Sequence, residues 1–252
     1  MKATALIAAR MGSSRFPGKS LADLHGKPML ERMIERIRRA RGIDRIVLAT
    51  TDLAEDDSLV GWAATQGIGC FRGSADDVLG RLHAAAEAFA MDVIVEMLGD
   101  NPLVHSALIE AALSRYAVGD VDYVATVTNE YPKAPSELPR FPIGVRVQVF
   151  GIGTIRRCAE LAAAPENREH ATSFIASHPE IFRTAFVSAE GFFATTHRPD
   201  VTFAVNHPRN LDLIRAIFDR CYASDADFSV SKALAAFDAV PALGALMGEP
   251  RN

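Results

Sequence analysis

A loop of small residues and cations follows the first apolar run of the chain. The run at residues 3–9 predicts a buried strand, and Arg10, Arg15 and Lys19 follow it at short intervals. Small residues let backbone N–H groups approach an anion, and cations spread along a loop match the charge of a polyphosphate. The segment therefore predicts a loop that binds a nucleoside triphosphate.

The triplet Gly18-Lys19-Ser20 also matches the end of a P-loop. That pattern requires glycine at position 13, where this chain has Ser13, and Pro17 removes a backbone donor from the cradle. A P-loop opens directly into a helix, whereas the Gly26-Lys27-Pro28 triplet interrupts the chain soon afterwards. A solvated basic loop would explain the charges, but not the alternation of small residues with cations.

Strand-like and helix-like patterns alternate through the first half of the chain. Apolar runs at residues 46–49 and 93–98 predict strands, and the apolar spacing between Met29 and Ile37 predicts a helix. This alternation is typical of a mostly parallel sheet with helices on both faces, an α/β fold. Such sheets bind ligands at the carboxyl ends of their strands.

Polar residues stand where these strands end. Arg10, the Thr50-Thr51 pair and Asp100 each follow a predicted strand, so we expect them to meet at one edge of the sheet. Asp100 could form a turn before Asn101-Pro102. Beside a triphosphate it suits Mg²⁺ better, because Mg²⁺ prefers one or two carboxylates together with phosphate oxygens.

Several segments together resemble the sugar-acid cytidylyltransferases, and in particular the branch associated with spore-coat polysaccharide synthesis. These segments are residues 9–19, 26–30, 49–52, 71–81, 99–103 and 168–170. The resembled enzymes transfer CMP from CTP to a sugar acid, such as sialic acid or 3-deoxyoctulosonate, and release pyrophosphate. The resemblance implies a Rossmann-like nucleotidyltransferase fold of GT-A type, Mg²⁺ as the cofactor and a homodimer.

The resemblance also implies roles for individual residues. Arg10, Arg15 and Lys19 are the expected catalytic residues. The expected nucleotide-binding residues are Ala8, Ala9, Arg10, Ser13, Ser14, Arg15, Lys19, Thr50, Thr51, Arg72, Ser74, Asp77 and Arg81. The expected acceptor contacts are Asn101, Gln148, Arg168, Glu169 and His170, and the expected metal ligands are Asp100 and Asn206.

Two of these segments have an alternative explanation in which they serve the structure and do not bind a ligand. Asp76 and Asp77 suit the first turn of a helix, where acidic side chains are stabilised, without any ligand. The triplet at residues 168–170 is predicted to open a helix capped by Asn167 and to contact either the sugar or a second subunit.

Two positions depart from the family pattern. Asn206 stands where a second metal-binding aspartate is expected, and Gln148 stands where relatives usually have glutamate. An amide oxygen coordinates Mg²⁺ without supplying a negative charge. Two alternatives therefore stay open: a nucleotidyltransferase for a phosphonate or a phosphorylated alcohol, and a nucleotide-binding protein with impaired turnover.

Composition limits the other classes of partner. The net charge of −4 argues against nucleic acids and anionic membranes, and no apolar run is long enough for a membrane span. Cys70, Cys158 and Cys221 are widely spaced, as is typical of reduced thiols in a cytoplasmic protein. We expect one cytoplasmic domain over residues 1–252, in which prolines after residue 130 mark a dimer arm and acceptor-site region at 130–185.

Overall fold

The computed structural model describes residues 2–130 and 134–247. Its strands are Ala3–Ala8 (β1), Asp23–Leu24 (β2), Lys27–Pro28 (β3), Ile43–Thr51 (β4), Gly69–Gly73 (β5), Val93–Leu98 (β6), Tyr123–Thr126 (β7), Gln148–Gly151 (β8) and Thr184–Val187 (β9). Its α-helices are Met29–Ile37 (α1), Asp57–Thr65 (α2), Val78–Ala88 (α3), Ser106–Tyr116 (α4), Ile152–Leu161 (α5), Pro165–Glu169 (α6), Ser173–Ser177 (α7), Pro208–Cys221 (α8) and Val230–Asp238 (α9). Short 3₁₀ helices lie at Lys19–Leu21, Ala54–Asp56, Gly191–Thr196 and Pro241–Leu246.

One sheet of the described residues contains seven strands in the order β5-β4-β1-β6-β8-β7-β9. Strand β1 pairs in parallel with both β4 and β6, so that Leu6 lies between Val47 and Glu96. Strand β8 runs antiparallel to its two neighbours, β6 and β7. The prediction of a mostly parallel sheet is confirmed, and its parallel half carries the carboxyl ends of β1, β4 and β6 to one edge.

Helices cover both faces of this sheet. Side chains alternate along β1, so Leu6 packs against α3 on one face and Ile7 packs against α1 on the other. Helix α1 buries the apolar residues that its spacing singled out: Met29, Leu30, Met33, Ile34 and Ile37. Helices α2, α4, α8 and α9 share the face of α1, whereas α5 and α7 share that of α3. Both faces are therefore apolar, as a parallel sheet requires.

One local prediction needs correction. The Arg168 triplet does not open a helix capped by Asn167. Helix α6 starts at Pro165 and ends at Glu169, because proline is preorganised for the first helical turn and has no N–H to leave unpaired there. The side chain of Asn167 instead accepts a hydrogen bond from Ser173 Oγ at 3.2 Å.

The Gly26-Lys27-Pro28 triplet belongs to a short hairpin between β2 and β3. His25 and Gly26 have φ angles of 56° and 78°, which are the positive values of a type I′ turn.

Much of the stretch at 130–185 is built into the domain. Strand β8 lies inside the sheet, and helices α5 and α7 pack against one face of it. Residues 134–147 follow an irregular path, with an isolated bridge from Ile143 to Thr202. Gly144 has a φ of 96°, and a Cβ there would overlap the backbone of Ala204, so this close approach requires glycine. The dimer arm stays a prediction, and residues 131–133 of it lie outside the described residues.

All three cysteines lie within the described residues. Cys158 and Cys221 are buried, Cys70 is partly buried, and all three thiols are free. Among residues 2–130 and 134–247, no helix has both the length and the hydrophobicity that a bilayer crossing requires.

A buried ion pair joins β6 to the segment before β8. Arg146 Nη2 donates to Glu96 Oε2 at 2.8 Å, and Gln148 Nε2 donates to the same oxygen at 2.8 Å. Both members of the pair are almost fully buried, with side-chain exposures of 4% and 2%. The pair holds two antiparallel neighbours together beneath the carboxyl edge of the sheet.

Removing Arg146 should destabilise the fold strongly. In Arg146→Met the Glu96 carboxylate stays buried without its counter-charge, which costs about 3–5 kcal/mol of unfolding free energy. The double variant Glu96→Gln/Arg146→Met should recover part of this loss, because the buried charge is also removed. Urea unfolding at neutral pH measures both values, and a single variant as stable as the wild type would contradict the assignment.

Candidate active site

A cleft of about 370 Å³ lies at the carboxyl ends of β1 and β6. Many of the predicted site residues line it: Ala8, Ala9, Arg10, Ser13, Ser14, Arg15, Lys19, Arg81, Asp100, Glu169, His170 and Asn206. Ser20, Val78, Leu98, Gly99 and Glu130 also line the cleft and were not predicted. This is the edge at which ligands bind in open α/β sheets.

The loop after β1 is closed by its own backbone. The carbonyl oxygen of Met11 accepts hydrogen bonds from the N–H groups of Ser13, at 2.8 Å, and Gly18, at 2.9 Å. Gly18 has a φ of 77°, which favours glycine, and Ser20 Oγ donates to the carbonyl of Arg10 at 3.2 Å. The chain then makes a single 3₁₀ turn, Lys19–Leu21, instead of the long helix that follows a P-loop.

Two cations of this loop contact a segment far away in the sequence. Lys19 Nζ donates to Asp100 Oδ2 at 2.9 Å and to the carbonyl of Val205 at 2.8 Å. Arg15 Nη2 donates to Asn206 Oδ1 at 3.3 Å. The N–H of Val205 in turn donates to the carbonyl of Asp100 at 2.9 Å, which places Asn206 beside the end of β6. The predicted metal ligands therefore lie on the same side of the cleft as the loop cations.

The oxygen atoms at this position fit a divalent cation only in part. Asp100 Oδ1 is buried and accepts no hydrogen bond from the described residues, so one carboxylate oxygen is available. Asn206 adds a neutral amide oxygen, and the described residues contain no group of three His, Cys, Asp or Glu side chains that could hold a metal. A Mg²⁺ ion bound here would take most of its ligands from water and phosphate oxygens, which it accepts readily.

A buried arginine faces the cleft from α3. Arg81 is 4% exposed, and its Nη1 donates to the carbonyl of Ser74. Burial lowers the pKa of Arg81, and the positive charge of Arg10 lowers it further. Arg81 Nε has no hydrogen-bond partner among the described residues. The carboxylates of Asp56, Asp77 and Asp52 act on this pKa in the opposite direction, and a neighbouring positive charge favours the binding of an anion beside Arg81.

The side chains at the end of β4 point away from the cleft. Thr50 Oγ1 donates to Asp56 Oδ2 at 2.8 Å, and Thr51 Oγ1 donates to the same oxygen at 2.5 Å. Arg72 Nε donates to the carbonyl of Thr51 at 3.0 Å, and its Nη2 to that of Leu53 at 2.9 Å. These predicted nucleotide-binding side chains shape the segment that follows β4 and do not line the cleft.

Ser74, Asp77 and Arg168 form a network of hydrogen bonds that connects the start of α3 to α6. Ser74 Oγ accepts from the N–H groups of Asp76 and Asp77 at 3.3 and 3.1 Å. Asp77 caps α3 by accepting from the N–H of Gly80 at 2.8 Å, and its other oxygen pairs with Arg168. The contacts of Asp77 therefore agree with the alternative interpretation, in which Asp77 stabilises the start of a helix. Arg168 fixes α6, whose end carries Glu169 and His170 into the cleft.

The remaining predicted acceptor residues lie beneath the cleft. Asn101 is fully buried, and neither polar atom of its side chain has a hydrogen-bond partner among the described residues. Gln148 is also buried, where it accepts from Tyr123 Oη and donates to Glu96. Gln148 and Arg146 line a separate small cavity of about 20 Å³. None of the residues that line this cavity also lines the cleft.

Asp56 is a residue that the sequence patterns did not single out, although it connects the end of β4 to the loop. The N–H of Met11 donates to Asp56 Oδ1 at 2.6 Å, so this carboxylate holds the first residue of the loop beyond Arg10. Its signal in the sequence is weak, because Asp56 is one of four acids between residues 52 and 57.

The Asp77–Arg168 pair should contribute modestly to the free energy of unfolding, and only above acidic pH. Burial raises the pKa of Asp77, but the hydrogen bond and charge of Arg168 outweigh this effect and hold that pKa below its usual value. Asp77→Asn keeps the helix cap and loses the ion pair, a cost of about 0.2–1 kcal/mol. Asp77→Ala also loses the cap, which adds about 1 kcal/mol.

The lowered pKa of Asp77 also predicts how this stability difference depends on pH. Because the folded-state pKa is depressed, the stability difference between wild type and Asp77→Asn is present above about pH 4 and is lost as the pH falls through that lowered pKa. Urea unfolding from pH 7 to pH 3 measures it. A difference that grows on acidification would contradict the ion pair.

Comparison with known proteins agrees with this geometry. The family model described as cytidylyltransferase matches residues 4–225. The spore coat polysaccharide biosynthesis protein SpsF of Bacillus subtilis is 28% identical over 220 residues, which cover 85% of each chain. A 3-deoxy-manno-octulosonate cytidylyltransferase of Anaeromyxobacter dehalogenans is 38% identical over 139 residues, 54% of each chain. A solved cytidylyltransferase structure from Leptospira borgpetersenii, 21% identical, covers all of both chains with a TM-score of 0.85. The chain belongs to the cytidylyltransferase family.

Proposed function

We propose that this protein transfers CMP from CTP to a hydroxyl group of a sugar acid and releases pyrophosphate. The observation that carries the proposal is the cleft lined by four cations, Arg10, Arg15, Lys19 and Arg81, three of them in or beside one loop of small residues. In a cytidylyltransferase, such a loop with several cations matches a triphosphate. The names of two relatives, a spore coat polysaccharide protein and a 3-deoxy-manno-octulosonate cytidylyltransferase, support a sugar acid as the acceptor.

The protein would act mainly by positioning and by neutralising charge. The acceptor oxygen attacks the α-phosphorus in line and loses its proton, while the bond from that phosphorus to the β-phosphate oxygen breaks. Arg15 and Lys19 would bind the β- and γ-phosphates, and Arg10 with the loop N–H groups would lie near the α-phosphate. Asp100, with the amide oxygen of Asn206, would hold Mg²⁺, which supplies further charge neutralisation for the phosphates.

The acceptor would enter from the side of α6. Glu169 and His170 reach the cleft there, and they offer hydrogen-bonding groups for the hydroxyls of a sugar. The Thr50 and Thr51 side chains bind Asp56, so a contribution of this strand end to cytosine recognition would come from its backbone. We also propose that the protein acts in the cytoplasm as a homodimer, with the 130–185 region in the contact between subunits.

A pyrophosphate-release assay tests this function. The protein is incubated with each of the four nucleoside triphosphates and Mg²⁺, together with a panel of sugar acids, a phosphonate and a phosphorylated alcohol. We expect release with CTP and a sugar acid. Turnover with the phosphonate or the phosphorylated alcohol would favour another acceptor class. CTP binding by calorimetry without any turnover would favour an impaired enzyme, and tighter binding of ATP would overturn the cytidylyl assignment.

Arg15→Ala should weaken the binding of CTP far more than that of CMP. The arginine is expected to neutralise the distal phosphates, which CMP lacks, and a lost charge-assisted hydrogen bond costs roughly 1.5–3 kcal/mol. Calorimetric titration of both nucleotides measures the difference. Equal losses for CTP and CMP would place Arg15 away from the distal phosphates.

Asn206→Asp should lower the Mg²⁺ concentration needed for half-maximal activity, because a second carboxylate attracts a hard dication more strongly than an amide does. Asp100→Ala should abolish turnover while the thermal unfolding transition stays cooperative. Unchanged magnesium dependence in Asn206→Asp would separate Asn206 from the metal. Full activity in Asp100→Ala would remove the metal site altogether.

A further inference from the structure

Asp56 is a fully buried carboxylate whose contacts all come from neutral donors. Its Oδ1 accepts from the N–H of Met11 at 2.6 Å. Its Oδ2 accepts from Thr50 Oγ1 at 2.8 Å, from the N–H of Thr51 at 2.9 Å and from Thr51 Oγ1 at 2.5 Å. The exposed fraction of the residue is 0%. Four donors directed at one buried carboxylate form a specific arrangement, because each of them would otherwise need another partner.

The charge of Asp56 is retained in this environment. Burial raises the pKa of Asp56, but the hydrogen bonds from Thr51, Met11 and Thr50 outweigh it and hold the pKa below its ordinary value. The carboxylate is therefore ionised at neutral pH. Hydrogen bonds to an ionised acceptor are stronger than those between neutral groups, so the link from Asp56 to Met11 is a firm one.

Met11 connects Asp56 to the rest of the loop. While its N–H binds Asp56, its carbonyl accepts from Ser13 and Gly18, which closes the segment that carries Arg15. The next residue, Gly12, lies close to the side chain of Glu55, because a Cβ on Gly12 would overlap that carboxylate. Residues 55–56 thus contact the loop at two successive backbone positions.

We propose that Asp56 is a positioning residue for phosphate binding: it fixes the loop at residues 11–18, and Thr50 and Thr51 hold Asp56 in place. The inference rests on the proposed function, since it assigns this loop to the phosphates of CTP. Arg10, at the start of the loop, repels the buried Arg81, and an anchor outside the cleft holds the loop against this repulsion. A site held in its productive geometry before the ligand arrives loses less free energy on binding.

Asp56→Asn tests the anchor with little change in shape. The amide has one acceptor atom, and either orientation places its NH₂ group against a backbone donor, of Met11 or of Thr51. Hydrogen exchange followed by mass spectrometry reports on the loop without any nucleotide. We expect amide exchange in residues 10–20 to become at least about tenfold faster, while peptides from α8 stay unchanged.

Nucleotide binding supplies the second measurement. Asp56→Asn should weaken CTP binding by about 10- to 100-fold and CMP binding much less, because the displaced loop holds the distal phosphates. Asp57→Asn is the matched control: the next residue is an exposed acid that pairs with Arg72, and its change should leave loop exchange and both affinities as in the wild type. If Asp56→Asn does not fold, Thr51→Val removes one contact to the carboxylate and should shift the same two measurements less far.

The outcomes separate this inference from the proposed function. Wild-type protein that fails to bind CTP would overturn the proposed function, and loop exchange in Asp56→Asn would still decide whether Asp56 anchors the loop. Unchanged loop exchange in both the Asp56 and Thr51 variants would overturn the inference. Equal weakening of CTP and CMP, with faster exchange throughout the chain, would also overturn it, because that pattern reports a purely structural residue.

Discussion

Mutual repulsion among cations is the constraint on which the site depends. Arg10, Arg15, Lys19 and Arg81 face one cleft, and Arg81 is almost fully buried. Like charges that line one cleft repel one another, and they strengthen the binding of an anion that neutralises them. The surrounding structure therefore has to hold the cations in place before the ligand arrives. It does so through contacts behind the cleft, such as those of Asp56 and Asp77.

Asp100 neutralises part of the positive charge of the loop by pairing with Lys19. The ammonium group of Lys19 lies against Asp100 Oδ2 and the Val205 carbonyl, so it occupies one of the two oxygens of that carboxylate. Asn206 adds no negative charge, and its oxygen is engaged by Arg15. These two positions thus offer little net negative charge to a dication. In the proposed reaction, a metal ion would arrive together with phosphates, which would attract both loop cations.

Buried polar residues also lie behind the site, and one cluster of them is hydrogen-bonded across the strands. Glu96, Arg146 and Gln148 share one hydrogen-bonded cluster on the sheet face that also carries Leu98 in the cleft floor. A charged pair in such a position contributes to specificity more readily than to stability. It fixes the pairing of the antiparallel strand β8 beside the parallel half of the sheet, and with it the path of the chain toward α6.

The sequence by itself determined the class of fold, and it predicted a phosphate-binding loop. Apolar periodicity located β1, β6 and α1 because burial of one face or both depends on local spacing, and the loop was recognisable because its chemistry lies within one short segment. The meeting of that loop with Asp100 also followed from sequence, since the carboxyl ends of parallel strands share one edge.

Only the tertiary structure decided which polar residues face the cleft. Thr50 and Thr51 are the last residues of β4 and Arg72 lies in β5, yet the threonine side chains bind Asp56 and Arg72 binds the backbone at the end of β4. Strand patterns place a residue at the edge of a sheet, but the direction of its side chain depends on neighbours far away in the chain. Asp56 itself was hidden for the same reason, because its contact with Met11 joins two segments that only the packing of β1 beside β4 brings together.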